Sequence, residues 1–185
     1  MAIDNIPTSS KRLLNKLPKL EGAWIAGGAA RELFLEKEFE NDVDIFFKDK
    51  RTSDHWYDTM KRKGYNGKRT AYAVTFTVPD GINSIDVQLV DWNYWDNIKD
   101  LFDDFDFTIC QIAYDENGFY HSAEAVRALV KNELHFNKIK SGVGGVQRMI
   151  KYANKGMVLP DDTIKQFLRQ VVKSPNLIDK TWTGQ

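Results

Sequence analysis

AWIAGGAARELFLEKEFENDVDIFFK, residues 23–48, carries the reading that decides the fold. Residues 23–26 form a short apolar run, the pattern of a buried strand. Gly27-Gly28 interrupts it, and residues 29–38 are rich in helix formers. Residues 42–48 then alternate acidic and apolar side chains, which predicts a second strand. The order is strand, glycine turn, helix, acidic strand.

Period-two alternation puts Asp42 and Asp44 on one face of that second strand, with Val43 and Ile45 facing the core. Two carboxylates so close repel each other, and a cation relieves the repulsion. Hard oxygen donors in this arrangement suit Mg²⁺ or Mn²⁺. A third carboxylate, Asp86, lies in Ser84-Ile85-Asp86-Val87-Gln88-Leu89-Val90, which reads as another strand. If the two strands are neighbours, Asp42, Asp44 and Asp86 converge as a two-metal centre. On the other side of the motif, Gly27 and Gly28 let backbone N–H groups approach a phosphate, at the start of a helix. Arg31 stands one turn in, and a guanidinium suits phosphate oxygens. The turn is neither G-x-x-x-x-G-K-[ST] nor G-x-G-x-x-G, so P-loop and dinucleotide folds lack support. The glycines at 142, 144 and 145 lack the lysine of a P-loop, and they read as a flexible lead into a helix.

Outward from this motif, residues 9–17 predict a short helix and residues 53–63 a longer one. Residues 70–78, 84–90 and 105–114 predict strands, with turns at Pro79-Asp80-Gly81 and 115–118. From Ser122 the pattern turns helical, over 123–130, 141–155 and 160–173. The expected architecture is α+β. A short mixed β-sheet with flanking helices spans 1–121 as a catalytic domain, and a helical extension spans 122–185.

Composition narrows the class. The chain has 185 residues, 42% hydrophobic and 28% charged, which is ordinary for a globular domain. Twenty-six basic and 26 acidic residues cancel, so no uniformly basic shell is available for nucleic acid. One cysteine, Cys110, gives no disulfide framework or cysteine zinc site and reads as a buried thiol. His55, His121 and His135 are not at ligand spacing. The basic run Lys61, Arg62, Lys63, Lys68 and Arg69 reads as a solvated helix end or as a groove for acceptor phosphates. Trp92, Tyr94 and Trp95 read as a core edge or as a platform for a base. No stretch approaches the ~20 apolar residues of a membrane helix, and the N-terminus has no signal core, so a cytoplasmic protein is expected.

Ala26-Gly27-Gly28-Ala29-Ala30-Arg31-Glu32 followed by Asp42-Val43-Asp44-Ile45 resembles the polymerase-beta-like nucleotidyltransferase superfamily. The nearest branch is the head domain of bacterial-type tRNA nucleotidyltransferase and poly(A) polymerase. Ile85-Asp86-Val87, Asp106-Phe107-Thr108-Ile109 and the segment 148–156 resemble later motifs of that branch. The resemblance implies Mg²⁺ (or Mn²⁺), an NTP substrate and transfer of a nucleoside monophosphate to an acceptor hydroxyl, an RNA 3′ end first of all. It implies metal-binding and catalytic roles for Asp42, Asp44 and Asp86. It implies nucleotide-binding roles for Gly27, Gly28 and Arg31, and for Arg148 on the later helix; Arg148, Lys151 and Lys155 recur at helical spacing, which reads as a face toward the nucleotide or as a surface stripe. Phe105 stands where the family has arginine, Cys110 where it has asparagine, and Gly145-Val146-Gln147 where paired acidic residues precede the base-reading arginine. Templated CTP/ATP selection is therefore not expected; CCA addition by this chain alone is not expected either, because little of the sequence follows that helix to form a tRNA-gripping body. The alternatives are nucleotidylation of a protein or small molecule, and a degenerate nucleotide-binding or partner module.

Overall fold

The computed structural model describes residues 5–179. In chain order the elements are α1 (Thr8–Leu14), β1 (Ala23–Ala26), α2 (Gly28–Phe34), β2 (Val43–Phe47), α3 (Lys50–Arg62), β3 (Gly67–Arg69), β4 (Ala73–Asp80) and β5 (Asn83–Val90). There follow α4 (Ile98–Asp103), β6 (Ile112–Asp115), β7 (Gly118–His121), α5 (Ala123–Lys131), α6 (Gly142–Asn154), α7 (Asp161–Lys173) and α8 (Asn176–Asp179). The architecture is mixed α+β, with a seven-stranded sheet of order β3-β4-β5-β2-β1-β6-β7. The chain divides into two compact units. One runs to Asp100 and takes in Ile112–Tyr120; the other takes Leu101–Gln111 and resumes at His121.

In the first unit β2 is central. It pairs parallel with β5 and antiparallel with β1. Val43, Ile45 and Phe47 of β2, Val87 and Leu89 of β5, and Val74, Phe76 and Val78 of β4 are all buried. Their alternation with polar residues gives the sheet one dry face. Helix α3 packs there: Trp56 meets Phe47 edge-on at 5.7 Å, and Tyr57 meets Phe76 at 5.8 Å. It starts earlier than the sequence predicts because Asp49 caps it, accepting the Thr52 N–H at 2.8 Å. Helix α2, by contrast, ends at Phe34 instead of continuing to residue 38. Glu36 takes φ 57°, and the Lys37 N–H folds back to the Glu32 carbonyl at 2.8 Å. The predicted turn at Pro79-Asp80-Gly81 moves one residue on. Pro79 and Asp80 still pair with Ser84 and Asn83, and Gly81 turns the hairpin at φ 67°.

The predicted strand over 105–114 is split. Residues Thr108–Cys110 form a 3₁₀ turn, and β6 begins only at Ile112. The turn is held from the second unit, where the Thr108 N–H reaches the His135 carbonyl at 3.0 Å. Phe107, Ile109, Ala128, Leu134, Phe136 and Phe167 form that unit's core. The glycines at 142, 144 and 145 lie inside α6, which Ser141 caps through the Gly144 N–H. Gly145 is there for packing: a Cβ would stand 2.9 Å from the Phe167 ring. Cys110 is half-buried, its Sγ 3.1 Å from the Tyr152 hydroxyl.

Arg148 donates from Nη1 to Asp106 Oδ2. Their side chains are only 21% and 9% exposed. Burial lowers the Arg148 pKa to about 10, with Tyr152 acting in the opposite direction. The guanidinium still carries its charge at neutral pH, so it requires the carboxylate. Asp106→Ala would leave a buried cation without that partner and is expected to destabilise the chain by about 3–5 kcal/mol. Urea unfolding of the variant beside the wild type measures this; an unchanged midpoint would show the pair to be dispensable.

Candidate active site

The register of three strands assembles the site. Strand β1 pairs Trp24 with Phe46 and Ile25 with Ile45, so its end, followed by Gly27, runs beside the start of β2. On the other side β2 pairs Val43 with Val87 and Asp44 with Gln88. Extended by one residue, the same register sets Asp42 beside Asp86. Asp44, Gln88 and Asp86 therefore share the face opposite the dry one, joined from β4 by Thr75 and Thr77, the partners of Gln88 and Asp86. The parallel pairing of β2 with β5 confirms the neighbouring strands that the sequence left conditional.

The polar face is internally bonded. Gln88 Nε2 donates to Asp42 Oδ2 at 2.7 Å. Thr77 Oγ1 donates to Asp86 Oδ1, also at 2.7 Å. Asp42 is exposed, whereas Asp44 and Asp86 are half-buried. The donor chemistry fits a hard divalent ion: carboxylates on adjacent strands, on one face. As the side chains stand, no three His, Cys, Asp or Glu residues among those described form a group able to hold a metal. Gathering the three takes side-chain rotation; the bonds from Gln88 and Thr77 each use one carboxylate oxygen and leave the other.

The glycine turn has a backbone reason and an open flank. Gly27 sits at φ 72°, ψ −127°, a conformation that L side chains rarely adopt. Its N–H is spent on the Ile112 carbonyl at 3.0 Å, which fixes the turn against β6. Gly28 has no such backbone need, and a Cβ there would meet nothing within 4 Å. Neither backbone conformation nor packing explains its glycine. Arg31 is half-buried, with Nη1 shielded from solvent.

Glu32 stands in the quoted motif, but sequence reasoning gave it no role. It is 7% exposed. Its Oε2 accepts the Glu40 N–H at 3.1 Å and its Oε1 accepts the Asn41 side-chain amide at 2.8 Å. It thereby ties the connector that delivers Asp42 onto α2. A charged residue directly after Arg31 in a helix that packs Ala29, Ala30 and Leu33 was the available signal.

Other candidates fall elsewhere. Arg148 and Lys151 belong to the second unit, the first paired with Asp106 and the second exposed. Trp95 is 4% exposed and packs on Phe46 and Trp92, which makes it core; Trp92 stays half exposed. In the basic run, Lys63 donates to the Lys16 carbonyl and Arg69 pairs with Asp91 at 2.5 Å. Among the described residues no helix is long and apolar enough to cross a membrane.

A family profile described as Gabija anti-defense 2 family protein matches residues 4–132. The chain belongs to the Gabija anti-defense 2 family. A curated relative, Gabija anti-defense 2 of Bacillus phage SPbetaL7, is 33% identical over 98 residues. That stretch is 52% of this chain and 23% of the relative, so the chain matches less than a quarter of that protein. Among solved structures, the Thermotoga maritima CCA-adding enzyme complexed with tRNA aligns at TM-score 0.65 and 18% identity, over 92% of this chain and 44% of that one. A CCA-adding enzyme complexed with ATP gives 0.64 and 18%, over 97% and 45%. The Bacillus stearothermophilus CCA-adding enzyme in complex with CTP gives 0.60 and 18%, over 93% and 45%. At that identity the likeness shows the fold, a nucleotidyltransferase fold. The superfamily resemblance seen in the motifs holds at this level, while the family itself is an anti-defence one.

The two glycines separate by their backbones. Gly27→Ala forces a side chain into a positive-φ position and is expected to destabilise by about 1–3 kcal/mol. Gly28→Ala, in open space at a helix start, is expected to change stability by no more than about 0.5 kcal/mol in the unfavourable direction. Thermal unfolding of the two variants checks the contrast; equal losses would refute it.

Proposed function

We propose that this chain is a metal-dependent nucleotidyltransferase, moving a nucleoside monophosphate from an NTP to an acceptor hydroxyl. The supporting observation is the register that sets Asp42 and Asp44 beside Asp86, one strand away from the Gly27-Gly28 turn. Asp42, Asp44 and Asp86 would hold Mg²⁺ or Mn²⁺, which when bound supplies charge neutralisation for an attack on the α-phosphate. The chain's own residues do the rest. Gly28 leaves room for phosphate oxygens at the backbone, and Arg31 offers a guanidinium to them. Gln88 and Thr77 orient the carboxylates of Asp42 and Asp86. Glu32 keeps the connector, and with it Asp42, in place. For Arg148 and Lys151, in the second unit, the nucleotide-binding role stays the one that the family resemblance and the helical spacing suggest; Arg148 would take it at the expense of its bond to Asp106.

Two acceptors have support. The fold shared with the tRNA-bound CCA-adding enzyme supports an RNA 3′ end. The family supports a component of the host's Gabija defence. The family also favours a second reading, in which the chain binds a defence protein without turnover.

With Mg²⁺ or Mn²⁺, labelled NTPs and total RNA or lysate carrying Gabija, the chain is expected to incorporate label. Asp42→Ala/Asp44→Ala should reduce that by at least about a hundredfold. Gly28→Ala should weaken NTP binding, read by calorimetry, while the protein stays folded. If the double aspartate variant still counters Gabija in infected cells, the binding reading replaces the enzymatic one.

A further inference from the structure

A cavity of about 800 Å³ opens beside the carboxylates, within the first unit. That volume lies within the roughly 300–1,000 Å³ range of ligand sites. Its wall comes from α1, the connector before β2 and the β4–β5 turn. Five carboxylates line it: Glu38, Glu40, Asp42, Asp80 and Asp86. No lysine or arginine lines it among the described residues. Arg12, which does not line the cavity, pairs with Asp80 at 3.9 Å. Among the described residues, Glu38, Glu40, Asp42 and Asp86 have no ion pair.

An independent observation points to a ligand. Ser10, 1% exposed, lines the cavity, and its Oγ has no hydrogen-bond partner among the described residues. A buried hydroxyl left unbonded is costly, and a ligand donor removes that cost. The wall's five carboxylates only accept hydrogen bonds, and among the described residues it carries no cationic side chain beside its serines and asparagines. Lysine and arginine side chains are the reverse, donors with no acceptor.

Position gives the cavity a role. Asp42 has the Gly27 turn on its β1 side and Asp86 on its β5 side, and the cavity takes in both Asp42 and Asp86. The carboxylates therefore stand between the phosphate turn and the cavity. We propose that this cavity receives the acceptor, a basic peptide segment whose serine, threonine or tyrosine hydroxyl is flanked by lysine or arginine. The inference rests on the nucleotidyltransferase reading and narrows it. The hydroxyl oxygen bonds to the α-phosphorus of the NTP. The bond from that phosphorus to the bridging oxygen breaks, its electron pair leaving with pyrophosphate, and the hydroxyl proton goes to water. RNA fits poorly, because its phosphates need lysine and arginine and would meet glutamates here. Divalent ions on Asp42 and Asp86 would still leave Glu38 and Glu40 to select a cation.

The test is a charge swap on the full chain. One synthetic peptide sets serine, threonine and tyrosine among lysines and arginines; its mirror sets them among glutamates. Peptide binding is read by fluorescence anisotropy, and transfer by label from an α-labelled NTP with Mg²⁺. Glu38 and Glu40 are exposed, and the connector bond uses only the Glu40 backbone, so Glu38→Lys/Glu40→Lys keeps the fold. The wild type is expected to bind and label the basic peptide. The swap should lower that kcat/KM about tenfold and raise that of the acidic peptide, with NTP affinity unmoved. Equal labelling of both peptides, or label on RNA alone, would overturn the basic acceptor while leaving the transfer chemistry standing. Binding of the basic peptide with no transfer to any acceptor would instead remove the nucleotidyltransferase reading, and the acceptor role with it. Loss of NTP affinity in the swap would show that the glutamates serve the nucleotide, which also overturns the inference.

Discussion

The parallel pairing of β2 with β5 governs the first unit. β2 meets β1 antiparallel on one flank and β5 parallel on the other. An antiparallel neighbour can follow a short turn, but a parallel one needs a crossover, here the long path through α3, β3 and β4. That path places α3 on the dry face, where Trp56 and Met60 are fully buried. It also brings Asp86 to the same end of the sheet as Asp42. Burial of Val43, Ile45, Val87 and Leu89 locks this register, because a slip of one residue would turn every aliphatic side chain to water and every carboxylate to the core.

The site consequently depends on hydrophobic packing at one remove. Gln88 and Thr77 add hydrogen bonds on the wet face. These are modest contributors to stability but fix direction. The second unit uses a different device, the ion pair of Arg148 with Asp106 over an aromatic core of Phe107, Phe136 and Phe167.

Much of this was legible in the sequence because the relevant periods are short. The alternation from Asp42 onwards needs only neighbouring residues, as does the glycine turn before α2. The three candidate aspartates were chosen on strand alternation, on the condition that two strands be neighbours, and β2 and β5 are. What was not legible depended on distant partners. The strand expected across 105–114 breaks at Thr108 because its N–H is claimed by His135, and no local pattern announces that bond. The glycines of α6 look like a flexible lead until Phe167 is seen against Gly145. Glu32 was hidden for the same reason, since its value lies in Glu40 and Asn41, eight and nine residues on.

That carboxylate has a mechanical consequence. Helix α2 begins at the glycine turn and, four residues later, grips the connector that ends at Asp42. The turn and the aspartates are thus two ends of one lever. A ligand that shifts α2 from the turn side displaces Asp42 as well, and an ion that pulls on Asp42 tugs the turn. Thermodynamic reciprocity then requires that whatever each ligand does to the other's affinity be returned by the same factor.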